Sequence, residues 1–265
     1  MGELLGPLGA IAGIAQLVSL GSAFWLGGRL LRRGWGARAM PELLLGGHLF
    51  LTLGLASLLL TVVALHGHSR DTVVPHVPGL FGLAVTGNAF TIVGLICALA
   101  FNAEVFHGGS RPARIAVVVG SVAMWVGFYW LFRDGDLSSA LHYDAGYYPL
   151  AATMLVADAW IVGEALHFRA QLRRRLALGL CEPIVVERVL LWAVGALARA
   201  ILILMAPVTN ALIQAPETRA AATAPLLVLA ALLIAAACAA FWLMLAPSDG
   251  YKRWVERRYA ARAAG

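Results

Sequence analysis

Charge is what this sequence has least of. Only 13% of its 265 residues are charged, against about 25% in soluble domains. With 61% hydrophobic residues and a mean hydropathy of +0.81, a soluble globular domain is excluded. Lysine is nearly missing: Lys252 stands against nineteen arginines, a skew that a GC-rich genome explains. The start, "MGELLG", lacks the basic n-region of a cleavable signal peptide, and none is expected. It also lacks the Ser or Thr at position six that myristoylation prefers. Cysteine is sparse: Cys97, Cys181 and Cys238 show no CxxC spacing, so no disulfide framework is expected. The last apolar run contains no lysine, which excludes a retinal Schiff base there. No kinase or cyclase output domain is expected from these residues.

What the sequence has in abundance is long apolar runs. Seven are each long enough for a hydrocarbon core, which needs about 20 residues. They fall at about 8–28, 41–65, 79–106, 114–133, 147–168, 184–212 and 223–246, boundaries being good to a few residues. Backbone groups cannot go unpaired in lipid, so these runs must be helices. The expected fold is an all-α integral membrane protein: a seven-transmembrane-helix bundle over residues 1–247, followed by a basic amphipathic cytoplasmic tail over 248–265. Helix count and orientation match those of seven-helix receptors and rhodopsins, but shared topology carries no function by itself.

The arginines alternate. Arg29, Arg32, Arg33 and Arg38 follow the first run, Arg111 and Arg114 the third, and Arg169, Arg173, Arg174 and Arg175 the fifth. The tail adds Lys252, Arg253, Arg257, Arg258 and Arg262, while the intervening loops are poor in base. The positive-inside rule then puts the N-terminus outside and the C-terminus in the cytoplasm, as in a multi-pass protein of a bacterial inner membrane. The net charge of +6 is explained without a nucleic-acid partner. In the tail, Tyr251, Trp254, Val255 and Tyr259 share a helical face opposite the bases. That pattern suits a helix lying against anionic lipid headgroups, or a docking site for a protein partner.

An internal echo runs through "GSAFWLGG" from Gly21, "GNAFTIVG" from Gly87 and "VADAWIVG" from Val156. The near-constant spacing suggests three helix hairpins plus a lone seventh helix. The small residues Gly21, Ser22, Ala23, Gly87, Ala89, Ala157 and Ala159 suit close helix packing. The seventh run, almost free of polar groups, is expected at the periphery.

Ionisable residues inside a span cost about 2.5–3.5 kcal/mol near its centre and are functional candidates by default. Glu104/His107 and Glu164/His167 each form Glu-x-x-His, with both side chains on one helix face. Eight glutamates and seven histidines give about 0.2 such pairs by chance. Counted from the arginines, the two glutamates differ by about 3 Å in depth. Glu42 and Glu187 lie on the same side, near helix starts set by Pro41 and Pro183. One Glu from each of two helices plus Glu-x-x-His from each of two others is the ligand inventory of di-iron bundles. Iron, manganese or zinc would suit it, in a metal-dependent intramembrane oxidoreductase acting on a lipid-soluble substrate. The plainer alternative is that these acids neutralise arginines at the headgroup level, with Glu42 held by a helix dipole.

Deeper lie Asp158, Arg199 and His48. By rise alone Asp158 is about 16 Å from Arg169 and Arg199 about 24 Å from Pro183, a mismatch two long side chains can span. They form either a structural ion pair or, with Glu164 and His48, a proton or cation path in a transporter or channel. His48 alone reads as a hydrogen-bonded core histidine or a haem ligand. Asn88 and Asn102 are expected to bond across helices. His66, His68 and His76 cluster in the first outer loop, as acidity sensors or metal ligands or simply as solvated residues. Against a conventional carrier stand the lack of an inverted repeat and of any helix visibly broken at mid-membrane. A seven-helix sensor acting through a partner is the third reading.

Overall fold

The computed structural model describes residues 2–68, 78–135, 145–214 and 216–263, and every regular element among them is helical. Helix α1 runs Gly2–Ala37. Helix α2 is α-helical over Met40–His48, π-helical over Leu49–Ala56 and α-helical again over Ser57–His68. Then come α3 (Pro78–His107), α4 (Arg111–Phe132), α5 (Tyr147–Ala177), α6 (Pro183–Gln214), α7 (Pro216–Leu245) and the short α8 (Asp249–Ala263). Seven of these helices are long and apolar enough to cross a membrane.

Neighbours in sequence are neighbours in space, and α7 packs back on α1, so the seven helices close a ring. Helix α3 also touches α5 across it. The core gathers Leu49, Ile92, Leu95, Leu99, Met124, Ile161 and Trp192 from five of them. Of the seven spans α7 has the smallest buried share, as its uniformly apolar composition leads one to expect. The sixth position of the echo (Leu26, Ile92, Ile161) is buried in all three copies. Gly21 and Ala159 in the same motif face outward.

The α1–α2 crossing depends on glycine. A Cβ on Gly27 would come 2.8 Å from the Phe50 backbone nitrogen, and one on Gly46 2.9 Å from that of Leu31. No side chain fits there without separating the helices.

The helices outrun the hydrocarbon-length segments read from sequence. Helix α1 continues past residue 28 to Ala37, and α5 past 168 to Ala177. Both extensions are arginine-rich. Arginine is a good helix former, and hydropathy registers lipid contact rather than helical continuity. Proline near the first turn starts α2 and α4. Gly108, Gly109 and Gly179, with φ of 56°, 66° and 71°, close the turns after α3 and α5. Left-handed φ is where glycine is free and other residues are strained. These turns, the α1–α2 turn and α8 all lie at one end of the bundle, the basic end.

Helix α8 docks there on α6. Val255 is fully buried, and Tyr259 donates a 2.7 Å hydrogen bond to Glu187 Oε1. Trp254 instead turns outward, stacked on Tyr251 and capped by the Arg258 guanidinium. The docked face is therefore Tyr251, Val255 and Tyr259, at helical spacing four, without Trp254.

Candidate functional site

The six acids and imidazoles at the basic end do not meet. Glu42 pairs with Arg33 across the α1–α2 turn at 3.2 Å. Glu104 is exposed, with its Oε2 and the Arg114 guanidinium both against Gly109. His167 faces outward and contacts Gln171 one turn on. Glu187 is buried among Tyr259, Arg169 at 3.7 Å and Arg258 at 4.0 Å. Only His107 and Glu164 are brought together: Nε2 lies 3.3 Å from Oε2. Trp160 donates to the other carboxylate oxygen at 3.3 Å and stacks along the His107 ring.

Among the described residues no three His, Cys, Asp or Glu side chains form a metal-sized cluster, so the iron, manganese or zinc expectation finds no support. Residues at i,i+3 share a face, but nothing obliges that face to point inward. Here Arg33 pairs with Glu42, and Arg169 and Arg258 with Glu187, instead. The side chains of His66, His68 and His76 lie outside the described residues.

The deeper group does converge. Arg199 Nε donates to Asp158 Oδ1 at 3.0 Å and Oδ2 at 3.1 Å, and Nη2 donates to Oδ1 as well. The carboxylate is wholly buried and the guanidinium nearly so. Counting depth from Arg169 and from Pro183 misaligns the two helices. Arg169 is actually level with Glu187, 3.7 Å away. From that rung Asp158 is about eleven residues deeper and Arg199 about twelve, so the two meet at one level.

The third member is His48, 1% exposed. Arg199 Nη1 lies 2.8 Å from its Nε2, and its Nδ1 lies 2.9 Å from the Gly94 carbonyl oxygen. Arginine has no acceptor, and a carbonyl has no donor. The imidazole therefore accepts at Nε2 and donates from Nδ1, which assigns the neutral Nδ1–H tautomer. Thr52 Oγ1 stands 3.5 Å from both the Nδ1 atom and the Thr91 carbonyl. Trp192 and Phe241 contact the ring edge-on. One polar chain thus ties α5, α6, α2 and α3 together within an aromatic wall.

Directly after His48 comes the π-helical stretch Leu49–Ala56. Such segments shift the hydrogen-bond register from i−4 to i−5 and concentrate at functional sites. No proline marks it, so hydropathy and breaker residues gave no warning. The helix runs unbroken through it, so this is a change of register and not the discontinuous helix of a conventional carrier.

On the side away from Asp158, Arg199 reaches a cavity of about 170 Å³ between α1, α2, α6 and α7. Its wall is mostly leucine, alanine and Phe241, interrupted by Gln16, Ser19, Ser22 and Ser57. Gln16 donates to Ser57 Oγ at 2.6 Å. Ser22 accepts from Trp242 Nε1 at 2.8 Å, and Trp242 stacks on Trp25. Toward the basic end, Asn102 on α3 is fully buried with neither amide atom hydrogen-bonded to protein, and the Trp192 indole N–H is likewise unpaired. Sequence reasoning singled out neither the cavity nor Gln16 and Trp192. Gln16 lay unremarked in an apolar run, and nothing in a tryptophan's sequence position reveals an unpaired N–H.

Comparison of the chain with protein-family models, curated proteins and solved structures finds no match to any of the three.

Proposed function

We propose that the protein is a proton-linked membrane transporter or channel in which Asp158, Arg199 and His48 form the gate. The observation that carries this reading is the buried trio itself, set at mid-span between a cavity on one side and unsatisfied polar groups on the other. Polar side chains mark most of the way across. Gln16 and Ser57 stand near the end opposite the arginines, the trio at the centre, Asn102 and Trp192 further on, and His107 with Glu164 near the basic end. A buried amide with no partner costs about 1–3 kcal/mol, a reason to expect water around Asn102 and hence a route for protons.

The chemistry favours protons over other cations. Arg199 cannot lose its own proton, and its fixed charge repels metal ions, while Asp158 and His48 can both take up and release H⁺. With Arg199 locked on Asp158 the path is closed. Protonation of Asp158 removes the guanidinium's charged partner and frees it to move, and a proton passes His48 only when the Asp158 carboxyl hands its own on, so Asp158 is both latch and carrier. The arginine-rich end would face the cytoplasm by the positive-inside rule, so the cavity would communicate with the outer half of the bilayer. The tail would rest among anionic headgroups, with Trp254 at the interface.

Proteoliposomes loaded with a pH-sensitive dye test the proposal. After a pH jump the wild type is expected to pass protons faster than empty vesicles, and Asp158→Asn to fall to the empty-vesicle rate. Equal flux in wild type and Asp158→Asn, or no flux in the wild type with either sign of the gradient, overturns it.

A further inference from the structure

The cavity beside Arg199 has the chemistry of a ligand site. A guanidinium carries five N–H donors. Arg199 directs one from Nε and one from Nη2 to Asp158, and one from Nη1 to His48. Two N–H groups, one on each terminal nitrogen, have no partner among the described residues. Among the described residues, Arg199 is also the one charged side chain lining the cavity. The Arg199–Asp158 pair is already neutral, so an anion there would be an uncompensated charge in a low-dielectric site. A cation would face the guanidinium. What remains is an uncharged molecule carrying a hydrogen-bond acceptor.

Shape narrows the class further. A cavity of about 150 Å³ lined by apolar side chains holds benzene, and this one is about 170 Å³ with Leu26, Leu53, Ile234 and Phe241 in its walls. The serines Ser22 and Ser57 and the amide of Gln16 add neutral hydrogen-bonding positions on one side. We infer that the cavity between α1, α2, α6 and α7 binds a flat, uncharged, lipid-soluble ring bearing a carbonyl, of the quinone class, with the carbonyl oxygen on Arg199. This goes beyond the relay reading, since such a ring would bind whether or not protons pass.

Cys238 lines the same cavity as a free thiol and supplies the readout. In a Cys97→Ser, Cys181→Ser background, alkylation of Cys238 by N-ethylmaleimide is followed in nanodiscs. The probe is duroquinone, whose fully methylated ring leaves no position for a thiol to add, compared with durene, the same ring without carbonyls. Duroquinone is expected to slow alkylation and to half-protect at about 10- to 100-fold lower concentration than durene, the range for one hydrogen bond to a charged donor. Ala237→Phe, which fills the cavity from α7 without touching the ion pair, is expected to abolish protection while the purified protein keeps its monodisperse elution. No protection by duroquinone, protection by durene at the same concentration, or protection that survives in Ala237→Phe overturns the inference. Protection is measured without a proton gradient, so its failure leaves the flux result standing, and the converse holds.

Discussion

The basic end and the mid-span centre of this bundle use the same residue types to opposite effect. At the end, Glu42 stands beside an exposed Arg33 and the exposed Glu104 lies near Arg114, Glu187 with Arg169 being a buried exception under α8. At the centre, Asp158 and Arg199 are enclosed by apolar and aromatic side chains. Exposed ion pairs contribute about 0–1 kcal/mol because water and salt screen them. A buried pair is different: breaking it by removing one partner costs about 3–5 kcal/mol, since the other charge is left uncompensated. Depth, not residue identity, separates a neutralised flank from a site where a proton can switch the structure.

The largest expected effect follows from that contrast. Arg199→Leu strands Asp158 and is expected to lower stability by about 3–5 kcal/mol, read as a fall in the thermal midpoint of detergent-purified protein by size-exclusion chromatography. Glu42→Gln at the basic end, in the same assay, is expected to move it by less than about 1 kcal/mol. Comparable losses from the two would erase the distinction.

His48→Leu comes next. It leaves one Arg199 N–H unpaired and removes only a second bond from the Gly94 carbonyl, which keeps its place in the α3 ladder, an expected loss of about 1–3 kcal/mol. Thr52→Val removes only the longer 3.5 Å contacts and is expected to fall below it. A Thr52→Val loss exceeding that of His48→Leu would place the centre of this network elsewhere.

The smallest effect concerns α8. Burial, then the hydrogen bond to Glu187 and the charge of that carboxylate, lift the Tyr259 phenol above its ordinary value. A raised value in the docked state means the neutral phenol supports docking at every pH below about 10, the ordinary tyrosine value. That support disappears as pH rises through the raised value. Tyr259→Phe is expected to weaken docking by about 1 kcal/mol near neutral pH, seen as faster amide exchange across Asp249–Ala263. It is also expected to remove the alkaline step in that exchange. A step of the same size in both proteins would assign it to another group.

Much of the fold was legible in sequence because lipid imposes simple demands. A helix must be apolar for about 20 residues, and seven such helices are present. Helix ends were less legible, since α1 and α5 continue through Arg29–Arg33 and Arg169–Arg175 as helix. Of the candidate site, sequence named Asp158, Arg199 and His48 from the cost of a charge in a span. It did not foresee that Arg199 joins both of the others, because that depends on the rotation of α2 and on the π-helical register after His48. The Glu-x-x-His pattern illustrates the limit. Spacing fixes which residues share a face, but where that face points is decided by packing, and only His107 and Glu164 found each other.

The most direct test asks whether the mid-span trio exists for transport or for stability. Replacing both partners, Asp158→Leu with Arg199→Leu, removes the buried charges together, so the double variant is expected to fold at least as well as Arg199→Leu alone. If the trio is both gate and proton carrier, that well-folded variant reconstituted into proteoliposomes passes protons no faster than empty vesicles. Wild-type flux from it would contradict the account.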